Sequence, residues 1–152
     1  MAEPRSIVED AVKKHGTSRE SLLPILQDIV KEKNYITDEE MSKVAELLDI
    51  SSADVYGTAS FYSFLDMEKR GTYVIRVCKT ITCYMKGKDG IIKALEDRLK
   101  IKLGETTSDG KFSLLSANCM GWCHEGPVML INDKVYTKLT PKKAVEIINE
   151  YY

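Results

Sequence analysis

The segment Tyr73-Val-Ile-Arg-Val-Cys78-Lys-Thr-Ile-Thr-Cys83 marks the point at which the sequence changes character. Residues 73–77 are rich in β-branched and aromatic side chains, which predicts a β-strand that delivers Cys78 at its end. Apolar residues recur at helical spacing before this segment, whereas strand and helix patterns alternate after it. The segment therefore divides the chain into a helical part and an α/β part.

The four cysteines of the chain fall into two short clusters. Cys78 and Cys83 have C-x4-C spacing, and Cys119-Met-Gly-Trp-Cys123 has C-x3-C spacing and is followed by His-Glu-Gly-Pro127. Four thiolates are the right number for one tetrahedral metal ion or one small iron-sulfur cluster. The two clusters are therefore the candidate site for chemistry.

Residues 1–70 are predicted to form a bundle of four short amphipathic helices that docks on a partner. Thr37-x-x-Glu40 is a capping box, and Ser51-x-x-Asp54 repeats the device with an aspartate. An earlier start of the second helix, at Thr17 or Ser18, would require Pro24 to kink it. We expect Phe61, Tyr62 and Phe64 to lie in the core. The predicted helices begin at Pro4, Ser21, Thr37 and Ser51, and the last one runs through Leu65.

Residues 71–152 are predicted to form an α/β domain with a four-stranded mixed sheet. A helix that crosses between the first two strands gives a small open sandwich that is thioredoxin-like in outline. Both cysteine loops follow the carboxyl ends of strands, where α/β sheets usually place their sites. Asn132-Asp133 is predicted to be a hairpin turn. The predicted strands cover residues 73–77, 111–117, 127–131 and 134–139, and the predicted helices cover 88–100 and the stretch from Thr140-Pro141 onward.

Composition and charge exclude several classes of protein. Hydrophobic residues make up 43% and charged residues 30% of the 152 residues, as in an ordinary soluble protein. Residues 1–71 contain 9 Lys/Arg against 14 Asp/Glu, a net charge of −5, and the remainder carries +4. Neither part has a basic stripe with interleaved aromatics, so we expect no nucleic acid partner. Without a long apolar run or a leader after Met1, we expect no membrane insertion and a cytoplasmic location.

The spacing of the cysteines leaves several chemistries open. Structural zinc sites commonly use C-x2-C, whereas the longer spacings here leave room for a binuclear cluster. A Rieske centre is excluded because it needs two histidine ligands and His15 lies in the helical part. A dithiol oxidoreductase is excluded because neither pair is C-x-x-C. An iron-sulfur cluster, a zinc ion, and disulfides or buried free thiols remain.

Three motifs together resemble a known family. They are Cys78-x4-Cys83, Cys119-Met-Gly-Trp-Cys123-x3-Pro127 and Tyr56-Gly-Thr-Ala-Ser-Phe-Tyr62. The chain resembles the thioredoxin-like 2Fe-2S subunit of NADH-oxidising modules along nearly its whole length. That family includes the small iron-sulfur subunit of respiratory complex I and the equivalent subunits of NAD(P)-linked iron-only hydrogenases, electron-bifurcating ones included, and formate dehydrogenases.

The resemblance implies that Cys78, Cys83, Cys119 and Cys123 bind one 2Fe-2S cluster. Such a site carries a charge of about −2 when oxidised and about −3 when reduced, and its surroundings set the potential. Thr80 and Thr82 offer hydroxyls, and Gly121 and Gly126 allow backbone N–H groups to approach sulfur. Lys79 and Lys86 are expected to be solvated rather than cluster-tuning.

Three neighbours of the second cysteine pair carry separate predictions. His124 is expected to be exposed. Trp122 is expected to shield the site from water. Pro127 is predicted to occupy the cis-proline position of thioredoxin-like folds.

The function implied is one-electron transfer within a multi-subunit NAD(P)-linked oxidoreductase. NADH gives up two electrons as hydride, so a flavin must accept the hydride and pass single electrons to the cluster. The chain has no dinucleotide or phosphate motif, and we expect no catalytic site of its own.

The expected partners in this hetero-oligomer are an FMN- and NAD(P)-binding iron-sulfur subunit and a further iron-sulfur or hydrogenase subunit. Because the sequence ends directly after the last predicted helix, a hydrogenase-type assembly is favoured over complex I or formate dehydrogenase. The alternative is a zinc-stabilised interaction module without redox function.

Overall fold

The structure, a computed structural model, describes residues 6–152. The chain divides into two compact units between Lys69 and Arg70. We call residues 6–69 the helical unit and residues 70–152 the cysteine unit. The predicted helix start at Pro4 lies outside the described residues. Each unit has its own hydrophobic core.

The helical unit contains α-helices that bury one apolar stripe each. A 3-10 turn over Arg19–Ser21 precedes the second helix, which begins at Leu22. Pro24 therefore lies in the first helical turn, where its missing N–H breaks no helical hydrogen bond. The helices are α1 (Ile7–His15), α2 (Leu22–Lys33), α3 (Asp38–Leu48) and α4 (Ser52–Phe61).

The predicted capping devices are present in the helical unit. The Glu40 backbone N–H donates to Thr37 Oγ1 over 3.3 Å, and the Thr37 N–H donates back to Glu40 Oε2 over 2.8 Å. The Asp54 N–H donates to Ser51 Oγ over 3.1 Å. These bonds satisfy backbone donors that have no partner within the first helical turn, so α3 and α4 begin where the sequence predicts.

The predicted extension of α4 to Leu65 is wrong. The helix ends at Phe61, Tyr62 has extended backbone, and the Leu65 N–H closes a short turn onto the Tyr62 carbonyl over 2.9 Å. Leu65 is buried by this turn, whereas Phe61, Tyr62 and Phe64 point to solvent. The expectation that these three aromatics form core is therefore wrong as well. Phe61 is 78% exposed.

The cysteine unit contains one mixed sheet with the strand order β2-β1-β3-β4. Its strands are β1 (Tyr73–Cys78), β2 (Phe112–Ala117), β3 (Met129–Ile131) and β4 (Lys134–Tyr136). The pair β1 and β2 is parallel, and the other two pairs are antiparallel. Asn132 has a left-handed φ of 52°, which confirms the predicted hairpin turn.

Helices cover one face of this sheet. The core joins Ile75 and Val77 of β1 to Leu95 of the crossover helix and Ile148 of the last helix. The Thr140 side chain caps the last helix, whose first residue is Pro141, as predicted. The predicted fold class, a helical segment followed by a thioredoxin-like α/β domain with a four-stranded mixed sheet, is confirmed. The helices of this unit are α5 (Ile81–Met85), α6 (Lys88–Leu99) and α7 (Pro141–Asn149), and a 3-10 turn covers Cys123–Glu125. Among the described residues, no helix has the length and apolar character needed to cross a membrane.

Candidate metal centre

The parallel pairing of β1 and β2 brings the two cysteine clusters to one edge of the sheet. Cys78 is the last residue of β1 and is in register with Ala117, the last residue of β2. The Lys79 N–H donates to the Ala117 carbonyl over 2.8 Å, which holds the two strand ends together. Because Cys119 follows Ala117 by two residues, the second cluster starts beside the first.

Cys83 is carried by a short helix, not by the predicted loop. Thr80 has the extended backbone of an N-cap, and α5 covers Ile81–Met85. The Tyr84 N–H donates to the Thr80 carbonyl over 3.0 Å and closes the first helical turn. This turn shortens the path from Cys78 to Cys83 and points the Cys83 side chain inward, where it is buried.

The start of β3 also lies next to the site. Because β3 is antiparallel to β1, its amino end lies at the same sheet edge as Cys78. The Cys78 N–H donates to the Val128 carbonyl over 3.1 Å. The Gly126–Pro127 peptide bond is cis, which confirms the prediction for Pro127.

The four thiols are grouped in two pairs. Cys119 Sγ and Cys123 Sγ lie 3.0 Å apart, and Cys83 donates a hydrogen bond towards Cys78. All four are free thiols, and 3.0 Å is too long for a disulfide, whose S–S length is about 2.05 Å. Within residues 6–152, no three or more His, Cys, Asp or Glu side chains form a group arranged around a single metal position.

The surroundings of the thiols separate their pKa values. Burial raises the pKa of Cys78, but hydrogen bonds from Thr80, the Cys83 thiol and the Met120 backbone outweigh it, so the pKa is lowered. Burial and the hydrogen bond to Cys78 raise the pKa of Cys83. The hydrogen bond with Cys119 is the largest cause that raises the pKa of Cys123. The surroundings of Cys78 thus favour the thiolate that a metal requires.

Several of the predicted donors approach sulfur. Thr80 Oγ1 lies 3.1 Å from Cys78 Sγ, and the Gly121 N–H donates to Cys119 Sγ over 3.4 Å. Gly121 has a φ of +86°, which a glycine adopts without strain. Thr82 is half-buried and, within residues 6–152, makes no hydrogen bond to a cysteine sulfur. The Gly126 N–H donates to the Cys123 carbonyl over 3.5 Å instead of to sulfur.

The two lysines beside the first pair differ from each other. Lys86 is exposed, as predicted, but its ammonium group donates to the Cys123 carbonyl over 2.8 Å and lies 3.4 Å from the His124 carbonyl. Lys79 is exposed, and within residues 6–152 its ammonium group makes no hydrogen bond to either cysteine segment. Of these two lysines, Lys86 is therefore the one whose side chain connects the two segments.

Large apolar side chains surround the site and point to solvent. Met85 is 80% exposed, and Ile81 and Tyr84 are also exposed on the helix that carries Cys83. Trp122, between the cysteines of the second pair, is 41% exposed and stacks on the exposed His124 with ring centroids 6.0 Å apart. The exposure of His124 is as predicted. Shielding by Trp122 stays a prediction.

Backbone donors to sulfur from Thr80, Met120 and Val128 were missed at the sequence level. The N–H groups of Met120 and Val128 hydrogen-bond to Cys78 and Cys83, and each lowers the pKa of the cysteine that it contacts. Met120 could have been expected from its position between the cysteines of the second pair. A donor at Val128 could have been expected because β3 starts at the sheet edge where the cysteines lie. Neither residue type carries a chemical signal, because the donor is the peptide group.

The donor set fits an iron-sulfur cluster. Four thiols at one sheet edge, with backbone N–H groups and a hydroxyl directed at their sulfur atoms, are the ligand and hydrogen-bond types that such clusters use. A thioredoxin-like sandwich with four thiols at one sheet edge is typical of iron-sulfur proteins of the ferredoxin class. The chain belongs to the thioredoxin-like [2Fe-2S] ferredoxin family, since the sequence profile of that family matches residues 8–152. The prediction of one 2Fe-2S cluster as the cofactor is thereby confirmed.

Known proteins with similar sequences are parts of larger enzymes. The chain is 35% identical to a subunit of the NADH-quinone oxidoreductase of Escherichia coli K12 over 99% of this chain and 90% of that protein. It is 38% identical to the NADP-reducing hydrogenase subunit HndA of Solidesulfovibrio fructosivorans over 77% of this chain and 68% of that protein.

A solved structure of similar fold also comes from a hydrogenase. A chain of an air-oxidized NAD+-reducing [NiFe]-hydrogenase matches with a TM-score of 0.75 and 19% identity. The match covers 86% of this chain and 22% of that chain. At this identity the likeness shows a shared fold.

Proposed function

We propose that Cys78, Cys83, Cys119 and Cys123 bind the 2Fe-2S cluster and that the chain is a one-electron transfer subunit of an NAD(P)-linked oxidoreductase. The observation that carries the proposal is the meeting of two thiol pairs at the carboxyl edge of two parallel strands. Two pairs of thiols match the two metal ions of a binuclear cluster in number. When bound, a 2Fe-2S cluster takes up and releases one electron at a time.

The protein groups around the thiols have a defined role in this proposal. The Gly121, Met120 and Val128 backbone N–H groups donate towards sulfur. Such donors stabilise negative charge on thiolates and, more strongly, the additional charge of the reduced state.

The partner in the proposal is a flavin-containing subunit. A one-electron carrier cannot accept a hydride, so an FMN- and NAD(P)-binding iron-sulfur subunit must split the electron pair. A further iron-sulfur or hydrogenase subunit completes the proposed hetero-oligomer, which we place in the cytoplasm. Support comes from the relatives, which are named as subunits of an NADH-quinone oxidoreductase and of an NADP-reducing hydrogenase.

The proposed docking surface is the end of α4 in the helical unit. Tyr56, Phe61, Tyr62 and Phe64 are all exposed, and Phe61 and Tyr62 form an edge-to-face pair with centroids 5.0 Å apart. Exposed groups of aromatic residues are characteristic of protein interfaces. The acidic composition of residues 1–71, with a net charge of −5, favours a partner surface that is basic around an apolar centre.

The cofactor part of the proposal is tested on the isolated chain. Anaerobic reconstitution with iron and sulfide should give about two irons and about two sulfides per chain and a coloured protein. Reduction with dithionite should then produce a paramagnetic signal in electron paramagnetic resonance. A colourless protein with stoichiometric zinc and no paramagnetic signal would overturn the proposal and favour a zinc-stabilised interaction module.

The assembly is tested on the complex purified from cells. A hydrogen-activating subunit, a formate-oxidising subunit or membrane-arm subunits among the co-purified chains correspond to three different enzymes. The hydrogenase-type assembly stays a prediction, and co-purification of a hydrogen-activating subunit is its expected outcome.

A further inference from the structure

Lys86 connects the two cysteine segments across 37 residues of sequence. It follows α5 directly, and its ammonium group donates to the Cys123 carbonyl over 2.8 Å. The same group lies 3.4 Å from the His124 carbonyl. A donor that carries a full charge makes stronger hydrogen bonds than a neutral one, so this bridge holds the second segment against the first.

The stem of Lys86 also runs along the candidate metal centre. A Cβ atom placed on Gly126 would lie 3.4 Å from Lys86 Cδ and 3.2 Å from Cys83 Sγ. The lysine stem and the Cys83 sulfur therefore contact the same point of the backbone from one side of the site. The positive charge at the end of the stem is held 2.8 Å from the backbone carbonyl of Cys123, one of the proposed ligands.

The Cys123 carbonyl has one other hydrogen-bond donor within the described residues. The Gly126 N–H donates to it over 3.5 Å, a long distance for an N–H···O bond. The 3-10 turn over Cys123–Glu125 is closed by the Glu125 N–H, which donates to the Trp122 carbonyl over 2.9 Å, so the short hydrogen bond of the turn does not involve the Cys123 carbonyl. The Lys86 ammonium group is therefore the nearer of these two donors to the Cys123 carbonyl.

We propose that Lys86 is a positioning residue for the cluster. Its bridge to the Cys123 carbonyl fixes the second thiol pair relative to Cys83, and its charge stabilises the reduced state. This inference rests on the proposed function. The two effects have different readouts, because the bridge controls how well the cluster is held, whereas the charge controls the midpoint potential.

The test uses the reconstituted full chain with three variants. Lys86→Met removes the bridge and the charge, Lys86→Arg keeps both, and Lys79→Met removes a lysine charge beside Cys78 without removing a bridge. The rate of cluster loss to a chelator and the midpoint potential are measured for each. Far-ultraviolet circular dichroism confirms that each chain is folded.

We expect Lys86→Met to lose its cluster roughly 10- to 100-fold faster than the wild type, as is typical when a group that orients a metal ligand is removed. Its potential should become more negative, by about 59 mV if the ratio of reduced to oxidised form falls tenfold. Lys86→Arg should restore both properties. Lys79→Met should retain its cluster as the wild type does.

Two results would overturn the inference. Wild-type retention and potential in Lys86→Met would show that the bridge has no effect on the cluster. Equal impairment of Lys86→Arg and Lys86→Met in folded chains would show that the shape of the lysine stem, not its charged donor, matters. The wild type reports separately on the proposed function, because a wild-type chain that binds no 2Fe-2S cluster contradicts that proposal before any variant is compared.

Discussion

A Cβ atom on Gly126 would lie 3.2 Å from the Sγ atom of Cys83. The φ of Gly126 is −66°, which any residue can adopt, so close packing and not backbone conformation disfavours a side chain here. We predict that Gly126→Ala moves Cys83 by a few tenths of an ångström and destabilises the cysteine unit by about 1–3 kcal/mol, the usual cost of overpacking. The measurement is thermal unfolding of the reconstituted chain together with its iron content.

Gly57→Ala is the matched control for this substitution. Gly57 lies within α4, and a Cβ atom there meets no atom within 4 Å. Alanine favours helix over glycine by about 1 kcal/mol, so this variant should be slightly more stable and should keep its iron. Equal iron content in both variants would contradict a close-packed role for Gly126.

The elements that could be predicted from the sequence are those whose signals are local. The capping patterns at Thr37 and Ser51 predict helix starts, and the β-branched residues of β1 predict a strand. The predicted helix between the first two strands implied that these strands pair in parallel, as they do in the structure. Parallel pairing places both cysteine clusters at one edge of the sheet. The ligand candidates could therefore be named without coordinates.

The features that could not be predicted depend on distant parts of the chain. The helix α5 spans five residues, too few for a periodic pattern to identify. Phe61 has a residue type and spacing typical of core, but the early end of α4 leaves it exposed. The hydrogen bond from Lys86 to Cys123 joins residues 37 positions apart, so only the tertiary fold reveals it.

Replacement of Cys83 tests whether the two units fold independently. We predict that Cys83→Ser lowers cluster occupancy or shifts the midpoint potential, because one proposed ligand changes from sulfur to oxygen, while the helical unit stays folded. Iron content, electron paramagnetic resonance and far-ultraviolet circular dichroism measure these outcomes. Met85→Ser on the same helix, at an 80% exposed position, should leave the iron content unchanged. Complete loss of helical signal in Cys83→Ser would show that the units do not fold separately.

The capping box of α3 should make the stability of the helical unit dependent on pH. Burial raises the pKa of Glu40, but hydrogen bonds from the Thr37 backbone, Lys33 and the Thr37 hydroxyl outweigh it, so the pKa lies below its ordinary value of 4.5. A lowered carboxylate pKa stabilises the fold above pH 4.5, and this stabilisation is lost as the pH falls through the folded-state pKa. Glu40→Gln should therefore cost up to about 1 kcal/mol at neutral pH and progressively less in acid.

Glu39→Gln is the control for the capping box, since it removes a negative charge from the same first turn of α3. Urea unfolding of both variants at pH 7 and below pH 4.5 separates the effect of the box from that of the helix dipole. A destabilisation of Glu40→Gln that stays constant across this range would contradict the assignment of the effect to ionised Glu40.

Phe61 offers a test of docking through the helical unit. Because it is 78% exposed, Phe61→Ser should change the free energy of unfolding by no more than about 0.5 kcal/mol. If the aromatic end of α4 binds the flavin-containing partner, loss of this side chain should weaken the complex roughly tenfold or more, as expected for an interface hot spot. The ratio of flavin to this chain in the purified complex, measured over a series of salt concentrations, reports the loss. Leu103→Ser, at a 39% exposed apolar position in the cysteine unit, should leave that ratio unchanged. A wild-type ratio in Phe61→Ser at every salt concentration would show that the partner binds elsewhere, because a hydrophobic anchor contributes to binding whether or not salt screens the surrounding charges.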